Sequence, residues 1–215
     1  MIGLLPGWLD PEQLLDKGGM YALAAIVFAE SGLLLGFFLP GDSLLFFAGF
    51  LASDAGGHHL PNIALVALVA VVAAIVGDQV GYLFGKRVGP ELFDRPQSRF
   101  FNPRHVVKAH QFFEKYGPRT IILARFVPIV RTFAPIVAGI GTMPYKTFVK
   151  YNVIGGVLWG AGVTTLGYFL GEIEFVKNNI EVAALAIVAV SVLPIAVEFI
   201  RHRRARRAAD QQTAG

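Results

Sequence analysis

Residues 61–85 contain a single charged side chain, Asp78, among otherwise mostly apolar residues. Wound as a helix, this segment is about 37 Å long, enough to cross the roughly 30 Å hydrocarbon core of a bilayer. A helix that is apolar on every side has to be covered on every side, by protein or by lipid. Composition favours lipid. The chain is 54% hydrophobic and 16% charged, against about 25% charged for a soluble domain. The chain is therefore expected to need lipid or detergent to stay folded.

The remaining apolar stretches are not all alike. Residues 20–51 are interrupted at Leu39-Pro40-Gly41-Asp42, a helix breaker followed by a turn signal. Residues 43–53 follow the break, and as a helix they cover roughly 16 Å, about half of the hydrocarbon thickness. They cannot span, so residues 20–53 are read as a re-entrant hairpin. Residues 120–143 carry Pro128, Pro135, Arg125 and Arg131. Two prolines and two arginines disfavour a continuous spanning helix, so this stretch is read as a second re-entrant segment. Residues 145–171 and 179–200 are long enough to span.

The polar stretches set the orientation. The last apolar run ends in the basic cluster from Arg201 to Arg207, a cytoplasmic stop by the positive-inside rule. Walking back from this tail, residues 201–215, puts Glu172 and Glu174 outside and the basic region 86–119 inside, where part of it is read as an amphipathic helix on the membrane surface. The first hairpin then opens to the outside and the second to the cytoplasm. Residues 1–19 lack a basic n-region and carry Asp10, Glu12 and Asp16. They are read as an interfacial segment and not as a cleavable signal.

A repeat runs through this pattern. Ala48-Gly49 and Ala138-Gly139 each end a broken segment. Gly81-Tyr82-Leu83-Phe84-Gly85 and Gly167-Tyr168-Phe169-Leu170-Gly171 each end the spanning helix that follows. The two halves would have opposite topology, the architecture in which transporters place a midplane site. The expected fold is an all-α polytopic membrane protein, an inverted repeat of two re-entrant hairpins with about three spanning helices.

Several function classes fall away. With no cysteine in the chain, disulfides, thiolate metal sites and Cys nucleophiles are excluded. His58-His59 and His105/His110 match no ligand spacing, so no metal or cofactor is expected. The net charge of +4 is concentrated in blocks that flank apolar runs, which argues against nucleic acid. No nucleophile constellation lies at membrane depth, so an enzyme is not expected.

Five ionisable residues sit inside apolar stretches: Glu30, Asp42, Asp78, Arg125 and Arg131. Each costs at least ~2.5–3.5 kcal/mol if left unpaired at a helix centre. Mutual pairing removes much of that cost, so one reading is that Glu30–Arg and Asp42–Arg pairs simply hold the hairpins together. Asp42 also suits the N-cap of a helix starting at Ser43. The functional reading starts from the arginines, because guanidinium binds phosphate through paired hydrogen bonds and keeps its charge. Helix N-termini freed by the breaks add amides that favour anions. Carboxyl groups in low dielectric can exchange protons, which makes Glu30 and Asp42 candidate proton-coupling groups. Asp78, near the cytoplasmic end, could instead be solvated. Asn152 and Trp159 are possible accessory residues, with packing the simpler account of Trp159.

These residues resemble the DedA family of bacterial membrane proteins, within the wider VTT or SNARE-associated group. The resemblance rests on Glu30-Ser31-Gly32, Pro40-Gly41-Asp42, Gly77-Asp78-Gln79 with Gly81-Tyr82, and Arg125-Phe126-Val127-Pro128 with Arg131. It continues through Pro135, Ala138-Gly139, Met143, Phe148, Asn152, Gly156 and Trp159, and covers roughly residues 20–171. It implies a bacterial cytoplasmic (inner) membrane carrier or flippase of an anionic lipid phosphate, with undecaprenyl phosphate the leading substrate and proton coupling proposed. It also implies that Glu30, Asp42, Arg125 and Arg131 are the essential residues. A passive phospholipid scramblase and a non-transporting membrane-homeostasis or assembly factor are the alternatives.

Overall fold

The structure is a computed structural model, and it describes residues 11–33, 41–92, 111, 113–174 and 176. The expected C-terminal span 179–200, the basic tail, most of the amphipathic segment, residues 1–10 and the Leu39-Pro40 part of the first break lie outside the described residues.

Every regular element among the described residues is helical. α1 spans Pro11–Gly32 and changes direction at Gly19, where φ is 50° and ψ −135°. The left-handed φ suits a glycine, and the bend falls at the boundary expected between an interfacial segment and the first apolar stretch. α2 spans Gly41–Leu51, and all eleven of its residues are buried. α3 spans Ile63–Leu92, and its start is capped by Asn62, whose Oδ1 accepts from the Leu65 amide at 3.0 Å. It outlasts the apolar run that ends at Gly85, because Lys86 and Arg87 are good helix formers.

The second broken stretch divides at Arg125–Val127. α4 (Thr120–Ala124) ends before it, and α5 (Pro128–Ile140) begins after it with Pro128 at its start. Proline suits the first helical position, where its missing N–H costs nothing. The chain is therefore broken by the turn ahead of Pro128, while Pro135 lies inside α5. α6 runs over Tyr145–Gly171, with one π-helical turn at Val157–Ala161.

α3 and α6 are long and apolar enough to cross a bilayer, whereas α2 and α5 are not. α3 shows an exposed stripe of Leu65, Leu68, Val72, Val76, Val80 and Leu83, spaced three and four apart as on one helix face. α6 exposes Val157, Leu158, Leu166 and Phe169. Contiguous apolar surface of this kind needs a non-aqueous neighbour.

The packing is reciprocal. α1 packs on α3 and α4 on the first half of α6, while α5 packs on α3 and α2 on the last part of α6. α2 and α5 thus each lie against the long helix of the other half. Glycines make both crossings possible. A Cβ on Gly49 or Gly167 would strike the backbone of Thr164 or Phe46, between α2 and α6. A Cβ on Gly139 or Gly85 would strike the backbone of Tyr82 or Ile136, between α5 and α3. These are the glycines of the sequence repeat. Small residues let helix backbones approach closely where no hydrophobic effect drives association. Tyr82 locks the α3 side: its hydroxyl donates to the Met143 carbonyl at 2.6 Å, and its ring stacks on Phe148 at 4.4 Å.

Gly139→Ala and Gly167→Ala should each lower the melting temperature in detergent, by the equivalent of about 1–3 kcal/mol of overpacking. A Cβ on Gly162 meets nothing within 4 Å, so Gly162→Ala should be neutral or slightly stabilising. Equal melting of all three variants would contradict the crossings described.

Candidate functional site at the meeting of the broken segments

The buried ionisable residues form two groups. The first is built on Arg131, in the opening turn of α5. Its Nη1 donates to Asp42 Oδ1 at 2.7 Å, and its Nη2 donates to Glu30 Oε1. Glu30 comes from the end of α1 and Asp42 from the start of α2, so one guanidinium ties both sides of the first break to the second broken segment. Trp159, in the π turn of α6, completes the group. Its Nε1 donates to the same Asp42 Oδ1 at 2.8 Å, and its ring lies 4.6 Å from the Arg131 guanidinium carbon, within cation–π range. Glu30 is 1% exposed and Arg131 5%.

The second group is built on Arg125, in the turn between α4 and α5. Its Nη2 donates to Asp78 Oδ2 at 2.5 Å, to Asn152 Oδ1 at 2.5 Å and to the Ala74 carbonyl at 3.4 Å. Asn152 is oriented by its own amide, which donates to the Ile75 carbonyl at 3.1 Å. Gly155 makes room for the arginine, since a Cβ there would strike its side chain, and Gly156 beside it makes room for Ile75 of α3. The two groups differ in charge. Arg125 faces one carboxylate, whereas Arg131 faces two, so with all groups ionised the first group carries one net negative charge and the second none.

The expected convergence of acids and arginines occurs, and the structure assigns the partners that the sequence left open. Glu30 and Asp42 both go to Arg131, while Arg125 takes Asp78 as its partner. Asp78 is buried, 3% exposed, so the expectation that it could be solvated at the cytoplasmic end does not hold. Asp42 lies inside the first turn of α2, which starts at Gly41, and not at a cap before Ser43. The accessory residues Asn152 and Trp159 are each bonded to a charged group and are more than packing. Sequence reasoning missed the glycine bed under Arg125. Its signal was the pair Gly155-Gly156 inside a long helix, where glycine costs stability unless something needs the space.

Buried ion pairs that bridge two broken segments, set between two membrane-length helices, define a membrane protein with a charged interior. Residues 39–169 match the VTT domain, and the chain belongs to the DedA family of VTT-domain membrane proteins. It is 50% identical over 196 residues to protein DedA of Escherichia coli, covering 90% of this chain and 89% of that one. It is 47% identical over 215 residues to an uncharacterized membrane protein of Mycobacterium tuberculosis, covering 96% and 92%. A membrane protein of Mycobacterium leprae is 46% identical over 187 residues, covering 87% and 82%. No solved structure matches the chain.

Breaking a buried pair by removing one partner costs about 3–5 kcal/mol, whereas replacing both with apolar residues is often neutral. Asp78→Leu should therefore melt well below the wild-type protein in detergent, and Asp78→Leu/Arg125→Met should recover most of the loss. A double variant that melts below both single variants would contradict this pairing.

Proposed function

We propose that this protein carries an anionic lipid phosphate across the bacterial cytoplasmic membrane, with undecaprenyl phosphate the leading candidate, and that the movement is coupled to protons. One observation carries the reading: Arg131 is buried where the two broken segments meet, and it is held by two carboxylates from the first of them. An ionised group at membrane depth is functional by default, and a guanidinium is the side chain best matched to phosphate. Arg131 is the principal headgroup ligand in this account. Arg125 is the second cation, its charge matched by Asp78. Glu30 and Asp42 are the proton-coupling groups, because a proton taken up by either would loosen its hold on Arg131.

The architecture proposed for this task is an inverted repeat. Supporting it are the reciprocal packing of α2 and α5 on the other half's long helix and the paired glycines at both crossings. α2 has 11 residues and α5 has 13, so as helices they cover about 16 and 20 Å, short of the bilayer. That supports re-entrant segments opening to opposite faces. The basic tail supports a cytoplasmic C-terminus. The chemistry required is binding and release, with no bond made or broken, which sets a carrier apart from an enzyme.

In proteoliposomes containing polyprenyl phosphate, the wild-type protein should move lipid across the bilayer at a rate that responds to an imposed pH gradient. Arg131→Ala should reduce that rate at least tenfold while the protein remains folded by melting. Transport by folded Arg131→Ala at the wild-type rate would rule out the headgroup role. A wild-type rate indifferent to the gradient would instead identify a passive scramblase.

A further inference from the structure

We infer that Glu30 is an internal occupant of the headgroup site: its carboxylate sits on the edge of Arg131 and at the start of α2, where a phosphate of the transported lipid binds in its place. The inference rests on the lipid-phosphate reading above and adds to it the means by which the empty site is kept closed.

The two acids on Arg131 are held differently. Asp42 Oδ1 receives two side-chain donors, Arg131 Nη1 and Trp159 Nε1. Glu30 is held by one side-chain donor, Arg131 Nη2, and its Oε2 is buried without a hydrogen-bond partner. A buried carboxylate oxygen without a donor is costly. Asp42 is thus anchored to a ring that is itself packed in α6, while Glu30 can leave by giving up one side-chain bond and its backbone contact at Gly41.

Glu30 also uses the guanidinium incompletely. Nε and Nη2 form one edge of the group and together match two oxygens of a phosphate or carboxylate. Glu30 engages Nη2 of that edge, and Nε is buried with no partner. A phosphate bound side-on would satisfy both. The seat of Glu30 is itself suited to an anion. Oε2 lies against Gly41, the first residue of α2, and a Cβ at that position would collide with it. The amides at the start of an eleven-residue helix favour negative charge there. The arrangement therefore has an anion already in place, made from the chain itself.

Charge completes the case. The ionised groups that face Glu30 are Asp42 from α2 and Arg131 from α5, while Asp78 on α3 is committed to Arg125. Adding a phosphate to Arg131 with both acids ionised and in place would set three anions around one cation. Glu30 has to move away or become neutral first. Competition with the substrate and proton uptake are then two outcomes of the same displacement.

The test is binding of farnesyl phosphate to the purified full-length protein in detergent at neutral pH, measured by calorimetry. Glu30→Gln keeps the shape and removes the competing charge. It should bind the probe roughly tenfold or more tightly than wild type, a difference of about 1.4 kcal/mol per tenfold. Asp42→Asn, which alters the anchored acid, should gain much less. Binding by Glu30→Gln that is equal to or weaker than wild type overturns the inference, as does failure of both proteins to bind. Glu30→Ala, checked for folding by melting, guards against a misfolded glutamine variant and should also gain affinity. Glu30→Gln/Arg131→Ala separates the two claims. Loss of binding in this variant with no gain in Glu30→Gln leaves the lipid-phosphate reading standing and removes only the role of Glu30. Binding that survives Arg131→Ala places the anion elsewhere and removes both.

Discussion

The ion pair between Arg131 and its two carboxylates is the contact on which the rest of the arrangement depends. It joins the end of α1, the start of α2 and the start of α5 through one side chain. None of these three helix ends is satisfied by regular helical bonding alone, and none of the three charges could stay buried among apolar helices by itself. The breaks and the charges therefore explain each other. A chain interrupted at these points leaves backbone and charged side chains in the interior, and their mutual contact pairs the charges.

The long helices supply the frame around that contact. α3 and α6 each take a short helix from the opposite half at a glycine-lined crossing, which brings the two breaks to the same region. α6 contributes twice more, with Asn152 on Arg125 and Trp159 on Asp42 and Arg131. The π turn that holds Trp159 is a local departure of the kind often found at functional sites. The neutral Arg125 group fixes the geometry between α3 and α6, and the net negative Arg131 group beside it is the one with a charge left to balance.

Much of this was legible in the sequence. That residues 120–143 would not form one continuous helix, and the crossing length of residues 61–85 and 145–171, follow from helix geometry and breaker chemistry. The cost of burying Glu30, Asp42, Arg125 and Arg131 foretold that they would converge. The pairing itself was not legible, because it depends on which face of α3 meets the second broken segment. Asp78 lies near the end of an apolar run, and only the approach of α5 through Gly81 and Gly85 shows that Arg125 reaches it. The partners of Asn152 and Trp159, read only as possible accessory residues, were hidden for the same reason. The partners of their polar atoms come from elements far away in the chain.

The central claim is that Arg131 holds the phosphate of a membrane lipid, and lipid identification by native mass spectrometry of the purified protein tests it most directly. The wild-type protein should carry a lipid phosphate through purification, and folded Arg131→Ala should lose it while retaining neutral and zwitterionic lipids. The same lipid phosphate retained equally by both proteins, or no anionic lipid on either, would contradict the account.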